Sequence, residues 1–381
     1  MRYAAIMRRA TLLLLLAASS VARVAHAAPW VVTAEGGAEG DTNVQRVETG
    51  PGLDTSRIAG TVLRFGGRLD RKATLAGGAY ALGLSTLARL VQISEASAEN
   101  VALFAGDLRW LHPLSARPVS LGFAINAADA VPITDEIGAR TFRNLGADAL
   151  VVLDGGDDRH LTIGVGARDF VYKENHGFDW SGPAASARLD LALWQPSGGT
   201  RSLELAALLA FEARDYASSA LTNICPPGAP PSIDCSAGSS LRRRDRFQRA
   251  GLDVTWTGGF VATGGYQLTV INSNSYGQSF VRHKVSASVT TPLPHELYAT
   301  VLAQLQLDQY LDGLVVKTDL QRSEFTSLDD ENRSTLQVRL GRSLSDAWSI
   351  EARGAVWRDL GGQMDTAFRR SLLYVGAIFS R

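Results

Sequence analysis

The sequence is poor in what most protein classes depend on. Two cysteines in 381 residues are too few for a disulfide scaffold or a four-cysteine zinc site. Charge of one sign is also missing, because 38 Lys+Arg balance 38 Asp+Glu, so no net field draws the chain to nucleic acid. Lysine is scarce, with Lys72, Lys173, Lys284 and Lys317 the whole set, a bias given no functional weight. After the N-terminus no apolar run is long enough for a spanning helix, which excludes a helical membrane protein. What the chain does have is 37 glycines and 45% hydrophobic residues at a mean hydropathy of +0.00, unlike an ordinary soluble domain.

The first 27 residues read as a secretory signal. Arg2, Arg8 and Arg9 precede the apolar stretch Leu12 to Ala18, and Ala25-His26-Ala27 places small residues at −3 and −1 of a cleavage site. Ser20-Val21-Ala22 is a second candidate cut. No cysteine lies near either site, which excludes a lipoprotein anchor. The expected mature chain, residues 28–381, is therefore extracytoplasmic, a setting in which disulfides persist.

From Trp30 onward, nearly every ordered-looking segment is about ten residues of alternating apolar and polar character, with no helical stripe of comparable length. In Leu297 to Tyr310 the odd positions Leu297, Ala299, Val301, Ala303, Leu305 and Leu307 are apolar, while Tyr298, Thr300, Gln304, Gln306, Asp308 and Tyr310 are not. Sixteen such segments begin near Trp30, Arg57, Ala73, Glu99, Pro118, Arg140, His160, Ala184, Ser202, Phe247, Gly259, Gln278, Glu296, Ser334, Trp348 and Ser371. A β-sandwich would also alternate, so the connections decide. Long ones (Gly40 to Ser56, Asp129 to Gly138, Lys173 to Gly182, Ala217 to Arg243, Leu311 to Arg333, Leu360 to Arg369) exchange with short ones (Asp70 to Lys72, Gly155 to Asp158, Pro196 to Thr200, Thr257-Gly258, Pro292 to His295, Ser343 to Ala347). This pattern predicts an all-β, transmembrane, antiparallel up-and-down β-barrel of about 16 strands in the outer membrane of a Gram-negative bacterium. Gly313 to Thr318 would supply an extra pair, so 18 strands stay open.

Averaging an oily and a wet face accounts for the neutral hydropathy. The pairs Gly36-Gly37, Gly66-Gly67, Gly77-Gly78 and Gly264-Gly265 fall inside expected strands, where missing side chains permit the bending a closed sheet needs. Trp110, Trp194, Trp256, Tyr266 and Trp348 fall near expected strand ends, as interfacial aromatics do.

If the apolar face meets lipid, the wet face lines a lumen. The candidate pore-lining residues are Arg64, Arg188, Arg249, Arg282, Lys284, Gln304, Gln306, Arg339, Arg353 and Glu351. A barrel this wide leaves an aqueous channel, which makes transport the first hypothesis. Cys225 and Cys235, separated by nine residues, are expected to close a disulfide loop. The run Arg242-Arg243-Arg244-Asp245-Arg246, placed at a loop base, would be solvated or attract an anionic solute or lipopolysaccharide phosphate. Asp312, Asp319, Glu324, Asp329, Asp330 and Glu331 lack EF-hand spacing, so no metal and no cofactor is expected. None of His112, His160, His176, His283 and His295 stands in a Gly-x-Ser-x-Gly or His-Glu-x-x-His setting. An enzyme is not expected.

Two segments carry a family resemblance. Leu373 to Phe379 is similar to the closing strand that the barrel assembly machinery reads, although Ser380 and Arg381 follow the aromatic. Ala34 to Val44 resembles the Gly-x-x-x-Asp-(Thr/Ser)-Asn-Val opening of secretion-associated barrels paired with polysaccharide export systems in myxobacteria, and Asp330 to Tyr374 resembles their closing strands. The resemblance implies an outer-membrane conduit for a surface or secreted polysaccharide, working with a periplasmic polysaccharide export protein. Outer-membrane lipid and lipopolysaccharide are the other expected partners. The alternatives are a diffusion porin for small solutes such as sugars, with Tyr298, Tyr310 and Trp357 as stacking surfaces, and a surface anchor that presents the cysteine loop for adhesion.

Overall fold

The computed structural model describes residues 30–47, 57–114, 118–135, 141–156, 159–196, 200–227, 236–311, 333–358 and 368–381. The expected signal peptide and the acidic stretch 312–332 lie outside them. Sixteen strands follow in chain order: β1 (Val31–Asp41), β2 (Gly60–Leu75), β3 (Gly78–Val91), β4 (Val101–Pro113), β5 (Val119–Pro132), β6 (Phe142–Asp154), β7 (Arg159–Tyr172), β8 (Trp180–Trp194), β9 (Ser202–Asn223), β10 (Ser236–Thr257), β11 (Val261–Ser273), β12 (Phe280–Leu293), β13 (Leu297–Tyr310), β14 (Ser334–Ser343), β15 (Trp348–Arg358) and β16 (Arg369–Ser380).

Each strand pairs antiparallel with its chain neighbours, and β1 pairs with β16 from Thr33↔Ser380 to Asp41↔Leu372. The barrel is closed at 16 strands. Closure removes the free edge that hydrocarbon would not tolerate, since every ladder group then finds a partner inside the sheet.

Alternation sorts the faces. On β13, Val301, Leu305 and Leu307 are exposed while Gln306 is buried. Exposed Phe65, Leu69, Phe123, Leu145, Leu209, Val285, Leu340 and Leu373 continue the apolar belt around the wall. The opposite face points inward, because Arg68 of β2 and Arg249 of β10, eight strands apart, line one cavity. A closed 16-strand barrel with an apolar exterior and a charged interior is a bacterial outer-membrane protein. Its short turns (76–77, 258–260, 294–296) mark the periplasmic end.

Four expectations are corrected. The tight turn after β2 is not Asp70 to Lys72: the strand runs on to Leu75, and Ala76 (φ 52°) and Gly77 (φ 75°) make a two-residue turn. Arg71 hid this, because it points to the apolar face, where its guanidinium lies 5.2 Å from the Trp30 ring centre. Gly77 consequently serves the turn and not the strand interior. The long loop Ala217 to Arg243 is mostly strand, since β9 reaches Asn223 and β10 begins at Ser236, eleven residues before Phe247. There small and polar residues such as Ser218, Ser219, Ser239 and Ser240 occupy both faces, so no apolar contrast betrays the alternation. Finally, Tyr266 lies inside β11 and not at its end, and its hydroxyl is 2.8 Å from His283 Nδ1 on the outer face. The pair gives two polar groups in the apolar belt a partner.

Candidate functional site

The inner face differs between its two ends. Toward the periplasm its charges are wet: Arg68 bonds Asp70 at 2.7 Å and lies 3.5 Å from Asp107, and the side chains of Arg68 and Asp107 are 46% and 58% exposed. Arg188 and Asp190 pair in the same way at 2.8 Å. Toward the cell exterior the charges are buried. Arg89 bonds Glu39 at 3.1 Å with both side chains 1% exposed, and Asp41 receives Arg370 at 2.7 Å. Arg243 and Asp245 form another buried pair, and Ser273 Oγ donates to Asp245 at 2.6 Å.

Aromatic rings fill the spaces between these pairs. Phe142, Phe170 and Trp180 stack in succession at 5.5 and 5.9 Å. The Arg214 guanidinium lies between Trp180 (4.2 Å) and Phe247 (3.8 Å) while bonding Glu212. Arg243 covers Tyr216 at 4.1 Å, Arg282 covers Phe280 at 4.9 Å, Arg370 covers Trp357 at 4.5 Å and Arg353 covers Tyr374 at 5.3 Å. A planar cation over a ring face is attracted by the ring quadrupole, by about 2 kcal/mol where water is excluded. Arginine suits the arrangement because it stacks and bonds a carboxylate in the same pose.

Each proposed lumen residue lies on the inner face. Arg64 bonds Glu35 at 3.2 Å, and Arg282 bonds Asp308 through two contacts of 2.8 Å. Glu351 gathers Arg353 (3.1 Å), Arg339 (3.4 Å) and the Tyr298 hydroxyl (3.4 Å), which carries the buried network lower on β13 to β15 than elsewhere. Gln304 donates to Arg333 O at 2.9 Å, and Gln306 is tied to Ser334 through 2.9 Å and 3.2 Å bonds. Lys284 faces Gln267 and Gln306 across the neighbouring strands. Arg249 differs, for it has no carboxylate partner among the described residues and its nearest ring, Phe247, is 5.9 Å away. Sequence reasoning placed Arg243 and Asp245 at a loop base instead of in the lumen, and did not single out Arg370, Asp41, Arg89 and Glu39 as lumen pairs. The signal was present for Arg243, Asp245, Arg370, Asp41 and Glu39, which stand two residues from an aromatic or from each other and hence on one strand face, but not for Arg89, which has Leu87 and Val91 two residues away.

Arg249 borders the cavity that crosses the lumen. Its volume is about 430 Å³, and Arg68, Asp107, Asn126, Arg168 and Trp180 contribute to its wall. Arg168 is held by Asp148 at 2.8 Å. Chemically the chamber offers charge of both signs, amide groups and an aromatic edge. Among the described residues no group of three His, Cys, Asp or Glu side chains could hold a metal ion. Cys225 is disulfide-bonded, and Cys235 lies outside the described residues.

No protein-family model and no curated protein matches the chain. Solved structures similar to it include Acinetobacter baumannii OccAB1, at 10% identity and TM-score 0.44, covering 91% of this chain and 95% of that one. Salmonella typhi OmpF in complex with daunomycin is 7% identical at TM-score 0.46, over 92% and 97% of the two chains. A structure described as a bacterial polysaccharide outer membrane secretin is 11% identical at TM-score 0.39, over 91% and 97%. Likeness at this level extends no further than a barrel, and no activity is taken from it.

Proposed function

We propose that the protein is a passive outer-membrane channel for small polar solutes. The observation that carries this reading is the chamber spanning the lumen from Arg68 to Arg249, lined by solvated and paired charges and not by an apolar filling. Sixteen strands leave room for water beyond the side chains themselves. The packed arginine and aromatic layer toward the exterior would act as the selective zone, and Arg249, with no carboxylate of its own, would bias the pathway toward anions. Stacking of a sugar on Trp357 is not favoured, because Arg370 already covers that ring and the residue is buried.

Export of a polysaccharide is the second reading, favoured by the resemblances of Ala34 to Val44 and of Asp330 to Tyr374. The residues of the first segment have structural duties that account for them. Asp41 accepts from Asn43 N and Arg370, and the Asn43 side chain closes a turn through Val47 N and O. A hydrated polymer would also have to pass the buried layer.

Single-channel recording in planar bilayers tests the proposal. Steady conductance with anion preference is expected, together with unchanged surface polysaccharide in a deletion strain. A barrel that conducts nothing, or a deletion strain stripped of its surface polymer, would overturn it.

A further inference from the structure

The arginine run of β10 divides between two environments. Arg243 and Asp245 turn inward, whereas Arg242, Arg244 and Arg246 are exposed on the outer face. Residues two apart on a strand recur about every 6.8 Å, so the three guanidiniums form a comb roughly 14 Å long. Its backbone is fixed by Asn274, whose side chain accepts from Arg244 N at 2.7 Å and donates to Arg242 O at 2.9 Å. Asp215 answers Arg244 at 2.9 Å in a solvated pair. No carboxylate meets Arg242 or Arg246 among the described residues.

The height of the comb is defined by its neighbours. Arg246 pairs in register with Ala213 and Asn272, and one outward step below it Gln248 faces Phe211 and Val270, where the apolar wall begins. At the other end of β10, Trp256 stacks on Trp194 at 5.7 Å, as an interfacial aromatic pair. Trp256 stands ten positions beyond Arg246, which is about 34 Å of strand and about 26 Å of membrane normal at a typical 40° tilt. That is the apolar height of an outer-membrane barrel, so Arg246 lies at the headgroup level of the outer leaflet.

Directly beneath the comb the outer wall is concave. A groove of about 530 Å³ is lined by Val165, Ala187, Leu209, Phe211, Ala250 and Leu268. Small residues of β8 and β10 form its floor on either side of Leu209 and Phe211, which project from β9 between them. A row of cations above a greasy furrow matches one kind of partner, an amphiphile with an anionic head and acyl chains lying along the wall.

We propose that this face of β8 to β11 is a binding site for a phosphorylated glycolipid of the outer leaflet, of the lipopolysaccharide type. Arg242, Arg244 and Arg246 meet its phosphates and the groove takes an acyl chain. Phosphate suits the comb because guanidinium groups bond its oxygens in pairs. A disaccharide headgroup phosphorylated at both ends would engage both ends of the comb. The assignment depends on the outer-membrane location and not on whether the lumen conducts.

Native mass spectrometry of the purified full-length barrel provides the test, with lipid A, dephosphorylated lipid A and inorganic phosphate as probes. The native chain is expected to retain lipid A and to release the dephosphorylated form. The triple variant Arg242→Gln, Arg244→Gln, Arg246→Gln should lose at least about tenfold in retention, as removal of three interfacial cations implies. The matching triple lysine variant, which keeps the charge but not the paired bonds, should recover only part of it, and Arg188→Gln, inside the lumen, should change nothing. Equal retention by the glutamine and native chains would overturn the proposal. Displacement of lipid A by equimolar inorganic phosphate would reassign the comb to the free ion and remove the groove from the site.

Discussion

The two ends of the lumen use the same residue types to different effect. Toward the periplasm, Arg68, Asp70, Asp107, Arg188 and Asp190 pair while remaining in water. Toward the exterior, Arg89, Glu39, Asp41, Arg370, Arg243 and Asp245 pair out of it. An exposed pair contributes little, because water already solvates both partners and screens their attraction. A buried pair is costly to assemble and more costly to break, since removal of one partner strands the other. Arginine and carboxylate therefore make a wettable surface at one end and a fixed framework at the other.

Substitutions would sharpen or break this contrast. Asp41→Ala should have the largest effect, because it deprives buried Arg370 and Arg89 of an acceptor. A loss of about 3–5 kcal/mol is expected in urea unfolding from lipid vesicles. A loss below about 1 kcal/mol would mean that the outer end is as wet as the inner one. Arg214→Ala removes the cation between Trp180 and Phe247 and leaves Glu212 unanswered. It should cost about 2–3 kcal/mol and raise single-channel conductance, and an unchanged conductance would place the narrow zone elsewhere. Arg68→Ala, at the wet end, should cost no more than about 1 kcal/mol. Arg249→Glu is expected to alter stability least, by about 0.5 kcal/mol or less. Its readout is the reversal potential in a salt gradient, which should move toward cation preference; no movement would remove Arg249 from the permeation path.

How far the sequence could be read followed contrast between the two faces. β13 was legible to its ends, because Leu297 to Leu307 alternate cleanly with polar residues. The barrel plan followed from the alternation of loop lengths, and the number sixteen, with eighteen left open, from the count of alternating segments. β2 and β10 were misjudged where Arg71, Arg244 and Arg246 put charge on the outer face, so that period two persisted without a change of polarity. Face membership of Arg64, Arg282 and Glu351 could be read from parity alone. The partners of Arg64 and Arg282 could not, since Glu35 and Asp308 stand on neighbouring strands in a register that only the closed sheet fixes, whereas Arg353, two residues from Glu351 on the same strand, lay within reach of parity. Burial could not be read either, because it depends on which neighbouring side chains cover each group once the sheet is closed, as Glu351 shows by being buried close to the periplasmic end.

The β9–β10 hairpin has a further consequence. β9 continues seven residues past Tyr216, its last partner opposite Trp180, a rise of roughly 24 Å along the strand. Loop 274–279 supports it as far up as Leu221, whose O accepts from Tyr276 N at 2.9 Å, and the bonded Cys225 lies just beyond the strand's last residue. A two-stranded ribbon is marginal in water without such supports. Among the described residues this ribbon rises past the top of β8, so what holds it in place is its own pairing and loop 274–279 and not the closed sheet below.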